Sequence, residues 1–101
     1  EVILPTRKAE AADHALDAVV TVLRDELARL RDSGAAPDPE ALQTMVFRIS
    51  KDRDVKSKDW FRTLYRILIG QSQGPRIGSF IALLGWAASI ERLEAHLAKG
   101  K

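Results

Sequence analysis

Between Lys58 and Arg76 the chain gathers the residue types that hold anions and unstacked bases. Lys58, Arg62 and Arg66 recur every four residues, Tyr65 lies among them, and Gln71 and Gln73 precede a Gly74-Pro75-Arg76 corner. Four-residue steps on a helix are about 6 Å apart, close to the spacing of successive phosphates, so these cations can track a nucleic acid strand. The plainer reading is a solvated charged face, with Asp59 placed to pair with Arg62. A helix opening at Gly74-Pro75 would offer unpaired N–H donors and the positive end of its dipole to a phosphate, and Arg76 would add a bidentate fork. Alternatively, glycine and proline only start the helix and Arg76 points into water. Gly78, inside that turn, has no capping reason and suits close approach by another helix or an RNA backbone. Of the rings Trp60, Phe61, Tyr65, Phe80 and Trp86, most belong in a core at helical spacing. Tyr65 and Trp86, each with a polar handle, are the candidates for stacking on bases. Gln71, Ser72 and Gln73 carry donors and acceptors suited to base edges, although polar turn residues need no such role.

Composition narrows the classes of function. At 101 residues the chain is one domain with a single modest core, too small for a nucleotide-binding catalytic domain as well. With no cysteine there is no disulfide, thiolate site or cysteine nucleophile, and His14 and His96 read as isolated, so neither a metal nor a cofactor is expected. No nucleophile, base and orienting group suggest an enzyme. No apolar run approaches the ~20 residues of a membrane span and no leader pattern is present, so a cytoplasmic chain without a membrane partner is expected. The first residue is not Met, which reads as a start inside a longer frame or a trimmed chain. The net charge is only +2, but residues 51–79 hold seven basic against three acidic residues, whereas residues 1–50 hold six against nine. The positive excess coincides with the corner and favours a polyanion partner.

The elements that must position these groups are all helical. Residues 1–8 read as an extended opening segment and residues 9–101 as one domain. From about Ala9 a first helix carries the seam Leu16, Val20, Leu23, Leu27 and Leu30, ending before Ser33-Gly34. The seam either faces its own core or pairs with another protein or a second copy. Asp38 before Pro39 starts a second helix with Leu42, Met45, Val46 and Ile49 on one face. After a charged loop, Ser57 is placed to cap a third helix, about Lys58 to Ile69. That helix has Trp60, Phe61, Leu64, Ile67 and Leu68 on its apolar side and Gly70 at its C-terminal end. The last pattern begins at Gly74-Pro75 and runs through Ile77, Ile81, Ile90 and Leu93 to Leu97. Gly85 in its middle implies either a kink or a junction of two helices. Arg92, far along this pattern, reads as an ordinary surface residue. An all-α bundle of four to five helices follows.

Phe61 and Tyr65, the Leu-Ile-Gly ending at Gly70, Gly74-Pro75-Arg76 with Gly78, and Phe80 with Leu84-Gly85 resemble, in order and spacing, the C-terminal helical domain of class I lysyl-tRNA synthetases. A related Gly-Pro corner ahead of a Leu-Leu-Gly helix occurs in glutamyl-tRNA synthetases. The likeness therefore speaks for the RNA class ahead of the amino acid. It implies a non-catalytic, monomeric module, free-standing or part of a full synthetase, that holds the anticodon stem-loop of lysine tRNA and takes no small-molecule substrate. It assigns Gly74-Pro75-Arg76 and the helix bearing Phe61 and Tyr65 to the RNA-facing or RNA-shaping part; taken with the basic stripe, the polar turn and the rings read above, the candidate RNA-facing set is Lys58, Arg62, Tyr65, Arg66, Gln71, Gln73, Gly74, Arg76 and Trp86. His-x-Gly-His and Lys-Met-Ser-Lys-Ser stretches, which handle ATP in that family, are absent from the sequence. The family's usual charged residue after Leu84-Gly85 is replaced by Trp86-Ala-Ala-Ser.

Overall fold

The computed structural model describes residues 14–71 and 74–99. The opening segment 1–8, the helix start expected near Ala9, Ser72 and Gln73 lie outside the described residues. Five helices follow one another: α1 (Asp17–Asp32), α2 (Pro39–Asp52), α3 (Ser57–Leu68), α4 (Ile77–Leu84) and α5 (Trp86–Lys99). No strand occurs among the described residues.

Local chemistry sets most of the boundaries. The Asp38 carboxylate accepts from the Glu40 N–H at 3.2 Å, and Pro39 occupies the first helical position of α2. This is the cap its sequence calls for. At the other end of α2, Asp54 takes a left-handed conformation with φ 56°, the Val55 N–H returns to the Ser50 carbonyl, and the Asp54 N–H returns to that of Lys51. The pattern closes the free carbonyls of the last turn. Gly70, φ 84°, ends α3 by donating to the carbonyls of Tyr65 and Arg66.

Three helix starts differ from expectation. Helix α1 begins at Asp17 after a turn at residues 14–16, so the helix expected from about Ala9 does not run through Leu16. Ser57 is the first residue of α3 and does not cap it; its hydroxyl lies 3.5 Å from that of buried Ser50, turned inward between α2 and α3. Proline's preference for the first helical position points to Pro75, yet α4 begins at Ile77 with Arg76 as its cap residue. At the far end of α4, Gly85 has φ 88° and ψ 168°, a conformation closed to other residues, so two helices meet there without a linker.

The core collects one stripe from each helix. Val20, Leu23 and Leu27 of α1, Val46 of α2, Trp60 and Leu64 of α3, Ile77 and Ile81 of α4, and Leu93 of α5 are completely buried. The α1 seam thus faces this domain's own core and packs mainly on α5, which leaves no apolar stripe on α1 for a partner helix. The α1–α5 face is pinned by Arg24, which pairs with Glu94 at 2.8 Å. The hydrogen bonds that Arg24 donates to Glu94 and then to Asp25 hold its guanidinium above the ordinary pKa.

The other large interface joins α2 to α4. Gly78 is buried there, so close to α2 that an added Cβ would lie 2.3 Å from the Pro39 carbonyl oxygen and 2.6 Å from the Gln43 nitrogen. The close approach expected of Gly78 is therefore made by a helix. Trp60 ties α3 to α2 by donating its indole N–H to the Val46 carbonyl at 2.9 Å. Arg92 is not an ordinary surface residue: its guanidinium donates to the Leu68 carbonyl and closes the C-terminal end of α3 from α5. His14 and His96, isolated in the sequence, stack with ring centroids 4.4 Å apart.

Candidate nucleic-acid interface

Helix α3 carries the stripe on its outer side because Trp60, Leu64 and Leu68 take the inner one. Lys58 is exposed, and Arg62 and Arg66 are half-buried along their stems. Arg62 approaches Asp59 to 3.9 Å, with both side chains about half in water. A pair that loose and wet is worth at most about 0.5 kcal/mol, so a phosphate can displace Asp59.

The stripe leads into the corner. After Gly70 the chain turns away from α3, and Gln71 is exposed. Gly74 then returns onto the helix it left: a Cβ at Gly74 would lie 2.8 Å from Ile69 Cδ1 and 3.6 Å from Tyr65 Cδ1. Half-buried Tyr65 is therefore the floor on which the corner rests. Gln73 lies outside the described residues.

Arg76 closes the corner and faces α2. Its guanidinium lies 3.4 Å from a Glu40 carboxylate oxygen, and both side chains are more than half exposed. The pair shields part of the cation's charge but is weakly held. Within the first turn of α4, the Gly78 N–H is already used: it donates to Gln43 Oε1 at 2.8 Å. Gln43 thus caps α4 from α2, and an anion at this end would share the turn with a protein side chain.

Trp86 sits on the other side of the first turn of α2. Its indole N–H donates to the Ala35 carbonyl at 2.8 Å, so its polar handle fastens the α1–α2 loop to α5. The half-buried ring lines a cleft of about 260 Å³ together with Arg29, Arg48, Asp38 and Met45. Lys58, Arg62 and Arg66 share one helix, and Tyr65 joins them to Gly74. Arg76 and Trp86 instead flank α2, one at Glu40 and the other beside Asp38 and Ala41.

Glu40, Gln43 and Arg92 were not singled out as site-shaping residues by sequence reasoning. Each acts on an element 24 to 36 residues away, and no local spacing signals such a contact.

Among the described residues, no helix is long and apolar enough to cross a membrane. The family described as anticodon binding domain matches residues 4–97. A lysine–tRNA ligase of Roseobacter denitrificans is 42% identical over 79 residues, 74% of this chain and 15% of that protein. One from Pyrococcus horikoshii is 43% identical over 54 residues, covering 54% of this chain and 10% of its own length. One from Rickettsia felis is 35% identical over 77 residues, 75% of this chain and 15% of that protein. This chain therefore spans only 10–15% of the length of these relatives. No solved structure matches it. A helical bundle with a basic helix and corner, matched along nearly its whole length, leads to one conclusion: the chain belongs to the anticodon binding domain family, in the form found in class I lysyl-tRNA synthetases.

Proposed function

We propose that this domain binds the anticodon stem-loop of lysine tRNA, as a monomer in the cytoplasm, and takes no part itself in amino acid activation or transfer. The observation that carries the reading is the family match over residues 4–97, together with relatives named as lysine–tRNA ligases of which the chain spans only a small part. Lys58, Arg62 and Arg66 contact the phosphate backbone, Arg76 holds a phosphate at the corner, and Tyr65 with Gln71 and Gln73 meets the unstacked bases. Gly74 serves the RNA face by letting the corner lie directly against Ile69 and Tyr65. Trp86 contributes as the wall of the cleft beside α2, through its ring face, since its N–H is held by Ala35.

The test is binding of the chain to the lysine-tRNA anticodon stem-loop, compared with a loop of altered anticodon and with Arg76→Ala. Tighter binding to the lysine loop is expected. Arg76→Ala should weaken it by about 1–3 kcal/mol, the range for a hydrogen bond to a charged group. Equal binding to both loops would refute lysine specificity, and unchanged affinity in Arg76→Ala would return the corner to a purely structural role. Pyrophosphate exchange with lysine and ATP should stay at background; exchange above it would refute the non-catalytic reading.

A further inference from the structure

The two histidines converge on one carboxylate. His14 precedes α1, Asp17 is the first residue of α1, and His96 lies in the last turn of α5. His14 Nδ1 is 2.8 Å from one Asp17 oxygen, and His96 Nε2 is 2.8 Å from the other. The rings are stacked with 18° between their planes, so their in-plane lone pairs run side by side, and exposed His14 must turn for both to face one ion. One ligand atom from each of the three residues falls within 4.8 Å of the other two. His96 is almost fully buried, whereas His14 and Asp17 are open to water on one side.

The geometry points to a divalent transition-metal site, with zinc the best-suited ion, formed by His14 Nδ1, His96 Nε2 and an oxygen of Asp17. Two imidazoles and a carboxylate match the nitrogen-rich preference of zinc, cobalt or nickel and exclude magnesium and calcium, which take oxygen. Tetrahedral bonds of about 2.0–2.1 Å place ligand atoms roughly 3.3–3.4 Å apart, against a present spread of up to 4.8 Å, so the two nitrogens must draw together while each moves back from its own Asp17 oxygen. Each imidazole binds as the neutral ring, with its proton on the nitrogen that now faces away from the carboxylate. The exposed side of His14 and Asp17 leaves the fourth position to water. The bound ion ties the turn before α1 to the end of α5, between residues separated by 79 positions. Because the site exists only in the folded chain, the binding free energy of the ion adds to the stability of the native state.

The site is tested with cobalt(II) and zinc on the full chain, its His14→Ala variant and its Asp17→Asn variant, each first checked for helical circular dichroism. Expected results are one cobalt per chain, a visible d–d band of tetrahedral strength, and displacement of that band by zinc. Zinc at a hundredfold excess over its Kd should raise the Tm by roughly 10 °C or more, and magnesium should not. Both variants should lose the band and the zinc-dependent shift. Because the readout is the metal-dependent difference within each variant, a modest loss of stability does not obscure it. Absence of the band from the parent chain, or its survival in either variant, would overturn the site and leave His14, Asp17 and His96 as a hydrogen-bonded cluster.

Discussion

Gly78→Ala is the most direct perturbation of the α2–α4 interface that holds the basic corner in place. The new Cβ would meet the Pro39 carbonyl at 2.3 Å, the Gln43 nitrogen at 2.6 Å and the Gln43 Cβ at 2.9 Å. Non-bonded heavy atoms settle at about 3.5–4.0 Å, so α2 and α4 must part by about 1 Å or tilt. Alanine gains about 1 kcal/mol over glycine in a helix interior, which opposes the clash. Overpacking costs about 1–3 kcal/mol, and the upper end applies because the two nearest atoms are backbone. Parting the helices also strains the Gln43 bond to the Gly78 N–H, worth about 0.5–1.5 kcal/mol. The net expectation is a loss of about 2.5–3.5 kcal/mol, or roughly 10–28 °C in Tm for a domain of this size. Thermal and urea unfolding followed by far-UV circular dichroism would measure it, with Ser79→Ala on the exposed side as a control expected within about 0.5 kcal/mol of the parent. A Gly78→Ala protein as stable as the parent, or more stable, would refute the close crossing of α2 and α4.

Stem-loop affinity should fall with salt at a log-log slope of about −2 to −3.5, from three or four cationic contacts at about 0.7–0.9 counterions each; a flat dependence would remove the phosphate role of Lys58, Arg62, Arg66 and Arg76. Arg92→Ala should lower stability by about 1 kcal/mol, because the C-terminal carbonyl of α3 loses a charged donor, while leaving RNA affinity unchanged; the opposite pattern in unfolding and binding assays would place Arg92 in the RNA face. The Ser89 hydroxyl is buried and has no hydrogen-bond partner among the described residues, so Ser89→Ala should stabilise the domain by about 1 kcal/mol in urea unfolding, and a loss of stability would mean that the hydroxyl is satisfied.

What was legible in the sequence was local. The apolar set Leu42, Met45, Val46 and Ile49, the Asp38 cap and the Gly70 stop each depend on residues within a turn or two, so spacing alone placed them. The start of α4 was misplaced because proline's local preference was outweighed from 35 residues away: Gln43 supplies the cap at Gly78, and the tight fit of Gly78 on α2 sets where the helix begins. Separations of 36 and 51 residues hid the Arg76–Glu40 pair and the turning of Trp86's N–H to Ala35, both of which change what the candidate site can offer RNA. The meeting of His14 with His96 had no signal at all, since neither lies in a ligand spacing and the fold alone brings the ends of α1 and α5 together.

The junction at Gly85 makes the domain sensitive to chain length at one point. Helix α4 ends at Leu84 and α5 begins at Trp86, so the two torsions of a single residue fix how the α2–α4 half is oriented against the α1–α5 half. One inserted residue continuing α4 would rotate everything beyond it by about 100°, carrying Ile90 and Leu93 off the core and Trp86 away from Ala35. The connections at 33–38 and 53–56 place six and four residues between their helices, whereas this elbow has one. Sequence drift in such a domain can change side chains around the elbow, but the number of residues between Gly78 and Leu93 is held by geometry.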